Sequence, residues 1–253
     1  MIIINADDFG LSRQHTDITL ECFQNGRISS ATCMVFMADS HRAINKAKRS
    51  GLDLGLHLNF DLPFNGASVN SELIKKQEKI SHYLQSSKYA LIMYNARLKD
   101  EFSSVIQAQL CEFRKHFGKD PTHIDGHHHF HLCANIIWFN LLPKGIPVRR
   151  NFTFVKNEKG FFNRLYRKII DMKIMRRHIV TDYFFSLTDI LKNNSITEIN
   201  AISRKKNVEV MTHPIWKMEY QFLMGQEFKK IIEGTYITTY NKINAKNLLS
   251  LST

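Results

Sequence analysis

Short apolar runs alternate with longer helical patterns along this chain, and this alternation limits the fold more than any other feature. Runs rich in β-branched and aromatic residues predict strands, and apolar stripes at helical spacing predict helices. The predicted strands are Ile2–Ile4, Ser30–Met37, 52–60, Thr122–Asp125, Ile146–Arg149, Tyr183–Phe185 and Val208–Thr212. The predicted helices lie at 11–25, from Asp39 to Gly51, at 97–118, 160–178 and 188–206, and beyond 218, with a weakly patterned insertion at 61–95.

Repeated strand–helix units of this kind indicate an α/β fold with parallel strands. We predict a single-domain irregular (β/α) barrel of the TIM-barrel type, with an open doubly wound sheet as the alternative. A length of 253 residues and a hydrophobic fraction of 43% are enough for one domain over 1–253. Within it, 1–215 carries the motifs described below, and 216–253 is expected to be helical.

The run at 52–60, LDLGLHLNF, alternates strictly between leucine or phenylalanine and other residues. Alternation with a period of two indicates a strand with one buried face. It places His57 and Asn59 on the same face of that strand.

Composition excludes several classes of protein. No apolar run reaches the roughly 18 residues of a membrane-spanning helix, and MIIINADDFG at the start lacks the basic and apolar regions of a secretory leader. The four cysteines are far apart and lack C-x-x-C spacing. We therefore expect no disulfide framework and no cysteine zinc cage, but buried free thiols in a cytoplasmic protein.

The formal net charge of +12 attracts anionic partners, but it says nothing about the fold. The basic residues are dispersed and form no zinc finger or RNP pattern, so we expect no nucleic-acid partner. Solvated helix faces account for most of these charges. The alternative is a phosphate-bearing substrate, or an anionic surface at the inner face of a membrane.

Polar residues cluster where the apolar runs end. They are Asp7 and Asp8, His57 and Asn59, Asp125 to His131, Arg149 and Arg150, and His213. The C-terminal ends of parallel strands meet at one mouth in a (β/α) barrel, and active sites are built there. Five separate segments at one mouth are hard to explain by packing alone, so we predict an active site.

The strongest of these segments is His123–His131, in which five of the twelve histidines fall within nine residues. A lone histidine is usually a hydrogen-bonded structural residue. A tract of this density beside Asp125 favours metal ligation, since imidazole is the commonest nitrogen ligand. All five cannot bind one ion, so some are expected to orient the ligands instead.

The other segments are weak alone. Asp7 and Asp8 are typical of a polar turn or a helix cap, but after a strand one carboxylate could bind metal while the other faces water as a general base. Either Arg149 or Arg150 is expected at the mouth, to orient that base or to bind an oxyanion. His213, before Pro214, is either an incidental strand end or a general acid.

Taken together these segments resemble one known family. The chain resembles the YdjC-like carbohydrate deacetylases, which include the chitooligosaccharide (chitin disaccharide) deacetylases. The matching residues, in the family's order, are Asn5–Ser12, Gly55–Asn59, Pro121–His131, Val148–Arg149 and Thr212–Pro214. Gly126 stands where a serine is expected and Ile215 where a glycine is common, which bears on substrate fit.

The resemblance implies an irregular (β/α) barrel and a divalent cation, with magnesium expected and zinc as the alternative. It implies Asp8, His57 and His127 as metal ligands, Asp7 as base and His213 as acid, with Arg149 catalytic. The remaining candidates, which orient ligands or contact substrate, are Asn59, His123, Asp125, His129 and Arg150.

The implied reaction is removal of the acetyl group from an N-acetylated amino sugar, either a chitooligosaccharide or a sugar linked to a lipid carrier phosphate. The segment after Trp216 would shape the sugar pocket or a homo-oligomer contact. The alternative functions are a metal-dependent phosphoesterase or amidohydrolase-like enzyme on a similar barrel, and a non-catalytic sugar-binding protein. The Asp-Asp pair argues against the first alternative, since those enzymes often carry H-x-H on the first strand.

Overall fold

The computed structural model describes residues 1–66, 69–87, 89–153 and 161–243. The strands are β1 Ile2–Phe9, β2 Ser30–Cys33, β3 Asp53–Leu58, β4 Ile124–Gly126, β5 Tyr183–Ser186 and β6 Val208–Thr212. The α-helices are α1 Arg13–Gln24, α2 Ser40–Ser50, α3 Ser71–Gln85, α4 Lys99–Phe117, α5 Ala134–Phe139, α6 Phe161–Met175, α7 Leu187–Lys192, α8 Ile196–Ser203, α9 Lys217–Met224 and α10 Phe228–Ile232. Two 3-10 helices span Ala96–Leu98 and His127–Leu132.

All six strands are parallel and form one sheet in the order β4-β3-β2-β1-β6-β5. Each strand therefore lies beside the next strand of the sequence, except at the gap between β4 and β5, and β6 returns to β1. A doubly wound sheet would reverse direction from a central strand. The order is that of a barrel, and the α/β barrel-type fold predicted from the sequence is confirmed.

The segment 147–153 lies between the two edge strands. The amide of Ile124 in β4 donates to the Pro147 carbonyl at 2.9 Å, and the Arg149 amide donates back to the Ile124 carbonyl at 3.0 Å. On the other side, the Thr153 amide donates to the Phe184 carbonyl of β5 at 2.9 Å. This segment connects both edges without being a regular strand, which makes the barrel irregular.

The core lies inside the curled sheet and between the sheet and the helices. β1 is buried at all eight positions, which fits a strand covered on both faces. α2 and α4 end before Gly51 and Gly118, whose backbones are left-handed with φ of 74° and 86°. Both ends agree with the predicted helices, which end at 51 and 118. Asp39 precedes α2, but its carboxylate binds Arg42 instead of capping the helix.

Several predicted elements differ from the structure. β2 ends at Cys33 instead of Met37, and Ile146–Arg149 forms only an isolated bridge, between Ile124 and Val148. The predicted helix 188–206 is two helices, because Asn194 takes a left-handed backbone with φ of 50°. Cys111 is exposed, whereas the other three cysteines are buried, and all four are free.

The segment after 215 is only partly helical. Beyond α10, the Ile2 amide donates to the Tyr236 carbonyl and the Thr238 amide to the Ile2 carbonyl, both at 2.9 Å. This extended segment brings Tyr240 into the interior. The rest of the predicted helical part, 244–253, lies outside the described residues. Over the described residues, no helix has the length and apolar character needed to cross a bilayer.

Candidate functional site

Asp8, His57 and His127 meet at the C-terminal ends of β1, β3 and β4. Asp8 Oδ1 lies 3.2 Å from His57 Nε2 and 3.0 Å from His127 Nδ1. One ligand atom from each residue lies within 4.8 Å of the other two. The three residues predicted as metal ligands therefore share one small volume at the mouth of the barrel.

Asp8 reaches this volume through an unusual backbone. Its φ is 62°, in the left-handed region that costs a residue with a Cβ about 1–2 kcal/mol. The pairing of β1 with β2 also shifts register between Ala6 and Phe9. Adjacent strand residues normally point to opposite faces, but here an oxygen of Asp7 also lies within 4.8 Å of a His57 nitrogen. The irregular strand end thus gathers both carboxylates beside His57.

A buried carboxylate orients His57. Its Nδ1 lies 2.7 Å from Asp125 Oδ1, which fixes the Nδ1–H tautomer and presents Nε2 to the mouth. Nε2 is buried and forms no hydrogen bond with the described residues. Thr32 completes the arrangement, with its hydroxyl 3.0 Å from Asp125 Oδ2 and 3.2 Å from His57 Nδ1.

The electrostatics of the cluster are those of a cation site. Burial alone would raise the pKa of Asp8, but hydrogen bonding to His127 and the charge of His57 hold it well below its ordinary value. Burial lowers the pKa of His57, yet Asp125 outweighs this and raises it well above the ordinary value. Two imidazole nitrogens, one of them the unpartnered Nε2 of His57, and one carboxylate fit a divalent cation.

The histidines between His127 and His131 have different partners. His128 and His129 have φ of 51° and 58°, so the chain turns sharply and successive imidazoles diverge. His128 is exposed and bonds Asp61 at 2.8 Å, whereas His129 packs its ring against Phe152 at 4.6 Å. His131 is buried, with Nε2 donating to the Arg149 carbonyl at 3.1 Å. Only His127 of the tract reaches Asp8.

Arg149 is completely buried among three carboxylates. Its Nη1 and Nη2 donate to the two oxygens of Asp7 at 2.6 and 2.7 Å, and Nη1 lies 2.8 Å from Asp125 Oδ2. Nε donates to Glu209 Oε1 at 2.7 Å. Burial opposes its charge, but Asp125, Asp7 and Glu209 raise the pKa of Arg149 well above its ordinary value. Of the two predicted tasks, this geometry serves the orientation of Asp7.

Three other candidate residues have partners outside the group of Asp8, His57 and His127. Arg150 binds Asp171 at 2.7 Å on the far side of its segment, since neighbouring extended residues diverge. Asn59 is fully buried and organises its own loop, accepting from the Leu62 amide at 3.0 Å and donating to the Leu62 carbonyl at 2.8 Å. Asp7 is 3% exposed, and both of its oxygens accept hydrogen bonds from Arg149.

His123 supports Asp7 indirectly. Its Nε2 lies 3.1 Å from Asn5 Oδ1, and Asn5 Nδ2 donates to Asp7 Oδ1 at 2.9 Å. The ring stacks on Tyr240 with centroids 3.8 Å apart. Burial lowers the pKa of His123 to about 3, so the imidazole is neutral and structural.

His213 approaches the cluster from β6. Its Nε2 lies 3.8 Å from Asp8 Oδ2, its ring stacks on Trp216, and its buried Nδ1 has no hydrogen-bond partner among the described residues. Glu219 fixes the loop, since its Oε2 accepts from the Thr212 hydroxyl at 2.7 Å and from the His213 amide. His213 is thus held across Asp8 with its imidazole 13% exposed.

The sequence did not reveal several contributors to the site. Thr32, Glu209, Glu219 and Tyr240 support the predicted residues, and His15, in the first turn of α1, lies close enough for the Asp8 charge to act on its pKa. A threonine or glutamate within an apolar strand carries no motif. For Thr32 and Glu209 the signal is the order of the strands, which places Thr32 beside β3 and Glu209 beside β1.

A cavity of about 250 Å³ adjoins the mouth. Its walls are Leu91, Ile92, His128, His129, Leu132, Asn151, Phe152, Asn163, Tyr166 and Arg167. The lining combines aromatic rings with amide and guanidinium groups, which suits a partly polar ligand.

The chain is similar to a protein family and to several curated proteins over most of its length. The model of the YdjC-like protein family matches residues 1–234. A chitooligosaccharide deacetylase of Yersinia enterocolitica is 30% identical over 249 residues, covering 94% of this chain and 91% of the relative. A carbohydrate deacetylase of Halalkalibacterium halodurans is 27% identical over 219 residues, covering 85% of both chains.

Among solved structures, a protein of Enterococcus faecalis V583 assigned to cellobiose-phosphate cleavage has the same fold. The TM-score is 0.71 at 20% sequence identity, over 96% of this chain and 98% of the other. At this identity the likeness concerns the fold alone.

Proposed function

Because the chain belongs to the YdjC-like protein family, we propose that it is a carbohydrate N-deacetylase, which hydrolyses the acetamide of an N-acetylated amino sugar and releases acetate. Relatives that match most of the chain are named chitooligosaccharide deacetylase and carbohydrate deacetylase. The convergence of Asp8, His57 and His127 within 4.8 Å at the barrel mouth is the observation that carries the proposal.

In this proposal Asp8, His57 and His127 hold a divalent cation. The bound cation supplies Lewis-acid polarisation of the acetamide carbonyl and of the attacking water. Asp125 and Thr32 keep His57 in the tautomer that presents Nε2. The family resemblance favours magnesium, whereas two imidazoles and one carboxylate are more typical of zinc.

Asp7 is the proposed base and His213 the proposed acid. Asp7 takes a proton from the water as it attacks the carbonyl carbon, and Arg149 holds both Asp7 oxygens in place. When the carbon–nitrogen bond breaks, His213 gives its proton to the departing amine. The products of the two proton transfers and the bond cleavage are acetate and a free amino sugar.

The proposal is tested by acetate release from N-acetylglucosamine oligosaccharides, using metal-stripped enzyme and enzyme restored with magnesium or zinc. Asp8→Ala, His57→Ala and His127→Ala should each lose the bound ion and turnover together, while His213→Ala keeps the ion and loses rate. His82→Ala, an exposed histidine of α3, is the control and should match the wild type. Full activity in the three ligand variants would disprove the site.

The same enzyme preparations also test the two alternative functions, a phosphoesterase and a non-catalytic sugar-binding protein. A phosphoesterase would release phosphate from sugar phosphates and no acetate. A non-catalytic sugar-binding protein would bind the oligosaccharide equally well with Asp7→Asn and turn over nothing in either form.

We propose a lipid-carrier-linked amino sugar as a second substrate class, on the basis of one exposed face. On α6, Leu165, Ile169 and Met172 follow helical spacing and are 45%, 38% and 49% exposed. The exposed basic side chains Arg164 and Lys168 flank this stripe. Apolar residues among cations suit an anionic membrane, and Tyr166 and Arg167 of the same helix line the cavity beside the mouth.

Vesicle sedimentation tests this second proposal. Binding to vesicles with anionic lipid should weaken with salt, and replacement of Leu165, Ile169 and Met172 by serine should reduce it. Exposed Met218, changed to serine, is the control. A wild type that ignores the vesicles argues for a free oligosaccharide. Light scattering on the protein without vesicles measures whether the chain forms a homo-oligomer.

A further inference from the structure

A second group of metal-type side chains lies between α2 and α4 and shares no residue with the barrel mouth. His41 comes from the start of α2, and Glu112 and His116 lie one turn apart on α4. Residues four apart on a helix share a face, so both α4 side chains point toward α2. One ligand atom from each of the three residues lies within 4.8 Å of the others.

The two imidazoles converge on one carboxylate oxygen. His41 Nε2 lies 3.1 Å and His116 Nε2 3.0 Å from Glu112 Oε1, and the ring centroids are 3.9 Å apart. At the mouth, Asp8 Oδ1 lies 3.2 and 3.0 Å from its two imidazole nitrogens. The same donor set therefore occurs twice with nearly the same spacing. Zinc bonds of about 2.0–2.1 Å at tetrahedral angles place donors about 3.3 Å apart, close to both sets.

Burial of the three side chains suits an open coordination site. The Glu112 side chain is 9% exposed, whereas His41 and His116 are 52% and 25% exposed. The carboxylate is thus fixed in the helix interface, and the imidazoles cover it from the solvent side. A cation here would keep three protein ligands and positions for water.

We propose that His41, Glu112 and His116 form a second divalent-metal site of zinc type, which joins α2 to α4 outside the active site. The competing explanation is an ion pair in which a protonated imidazole bonds Glu112 with no metal. The two explanations differ in stoichiometry, because only the first adds a bound ion per chain. The proposal does not depend on the catalytic function.

Zinc stoichiometry of the full chain tests the proposal. Protein stripped with a chelator and dialysed against zinc should hold two ions per chain, measured by elemental analysis. The double variant His41→Ala/His116→Ala should hold one and keep its acetate release. Asp8→Ala should also hold one, since it retains the second site. His82→Gln controls for loose binding to an exposed histidine and should hold two.

Thermal unfolding gives an independent readout that does not require activity. Zinc should raise the melting temperature of Asp8→Ala, because an ion that binds only the folded chain stabilises it. Adding the His41 and His116 substitutions to Asp8→Ala should abolish that rise. A His41→Ala/His116→Ala variant that holds as many ions as the wild type, or a rise in melting temperature that survives when these substitutions are added to Asp8→Ala, would overturn the second site. An inactive wild type that holds two ions would overturn only the deacetylase.

Discussion

Arg149 is the residue whose loss should separate positioning from ligation. Its guanidinium bridges Asp7, Asp125 and Glu209. In Arg149→Lys the charge remains, but a point ammonium cannot make the forked contact with Asp7. We expect kcat to fall about a hundredfold, since small misplacement of a catalytic group costs that much, with KM and bound metal unchanged.

Arg150→Lys is the matched control, because Arg150 pairs with Asp171 on the other side of the segment. Steady-state kinetics and elemental analysis of both variants measure the difference. Equal loss of kcat in the two variants would mean that Arg149 does not orient the base.

His123 should make folding sensitive to acid. Its pKa is about 3 in the folded protein because of burial, against 6.5 in the unfolded chain. The unfolded chain therefore binds more protons between these values, and unfolding free energy falls as pH drops below 6.5. The stability that comes from keeping His123 neutral is complete above pH 6.5. Between pH 6.5 and about 3 it falls by about 1.4 kcal/mol for each pH unit.

Denaturant unfolding of wild type and His123→Gln between pH 6 and 4 checks this expectation. Glutamine does not titrate, so the stability advantage of the wild type should shrink by about 1.4 kcal/mol for each unit. His131, which is also buried and has a pKa lowered to about 4, is present in both proteins and cancels. A constant difference across the range would contradict a neutral buried His123.

At this scale the sequence pointed to the candidate metal ligands more clearly than to the residues that hold them. Asp8, His57 and His127 stand directly at strand ends, where dense polar residues are conspicuous. Thr32 and Glu209 lie inside strands, and their importance follows from which strands are neighbours. Sequence also cannot separate Arg149 from Arg150, because the direction of each side chain depends on how 147–153 is anchored.

The end of β1 stores backbone strain that a pair of substitutions should reveal. Asp8→Ala and Asp8→Gly both remove the carboxylate, so both should lose the cation. At φ of 62° alanine pays the left-handed penalty and glycine does not. We expect Asp8→Gly to be the more stable variant by about 1 kcal/mol, measured by denaturant unfolding without metal.

Asp17 lies inside α1, where the backbone is right-handed, and the same two substitutions there are the control for Asp8. There glycine should be less stable than alanine by about 1 kcal/mol, as in any right-handed helix. The same order at both positions would show that the β1 end is relaxed.

Elements were predictable where local pattern and tertiary structure agree. β3 and α4 have long, regular apolar patterns that only one period fits, whereas the apolar run Ile2–Ile4 predicted only the first part of β1. Ile146–Arg149 has the composition of a strand, but it pairs with β4 only through the bridge at Ile124. A few residues later, the Thr153 amide bonds to Phe184 of β5, so no regular strand forms. The His127–Leu132 turn depends on left-handed backbone at both His128 and His129, and this conformation is uncommon for any residue other than glycine.

At the scale of the whole molecule, the order of the strands in the sheet brings the site together. Asp8, His57 and His127 are separated along the chain, but β1 and β3 both flank β2, and β4 adjoins β3. The sequence predicts alternating strands and helices, which a barrel and a doubly wound sheet share. The choice between them rests on β6 pairing with β1 and on the segment that spans the remaining gap.

That segment should contribute measurably to stability. The Thr153 hydroxyl accepts from the Phe184 amide of β5 at 3.1 Å, and the Thr153 amide donates to the Phe184 carbonyl. Thr153→Val keeps the shape but leaves the Phe184 amide unpaired, which should cost about 1–3 kcal/mol of unfolding free energy. Amide exchange at Phe184 should accelerate with it, because the gap between β4 and β5 then opens more often. Exposed Thr197 of α8, changed to valine, should stay within about 0.5 kcal/mol. Equal effects of the two substitutions would mean that the barrel does not depend on closure at 147–153.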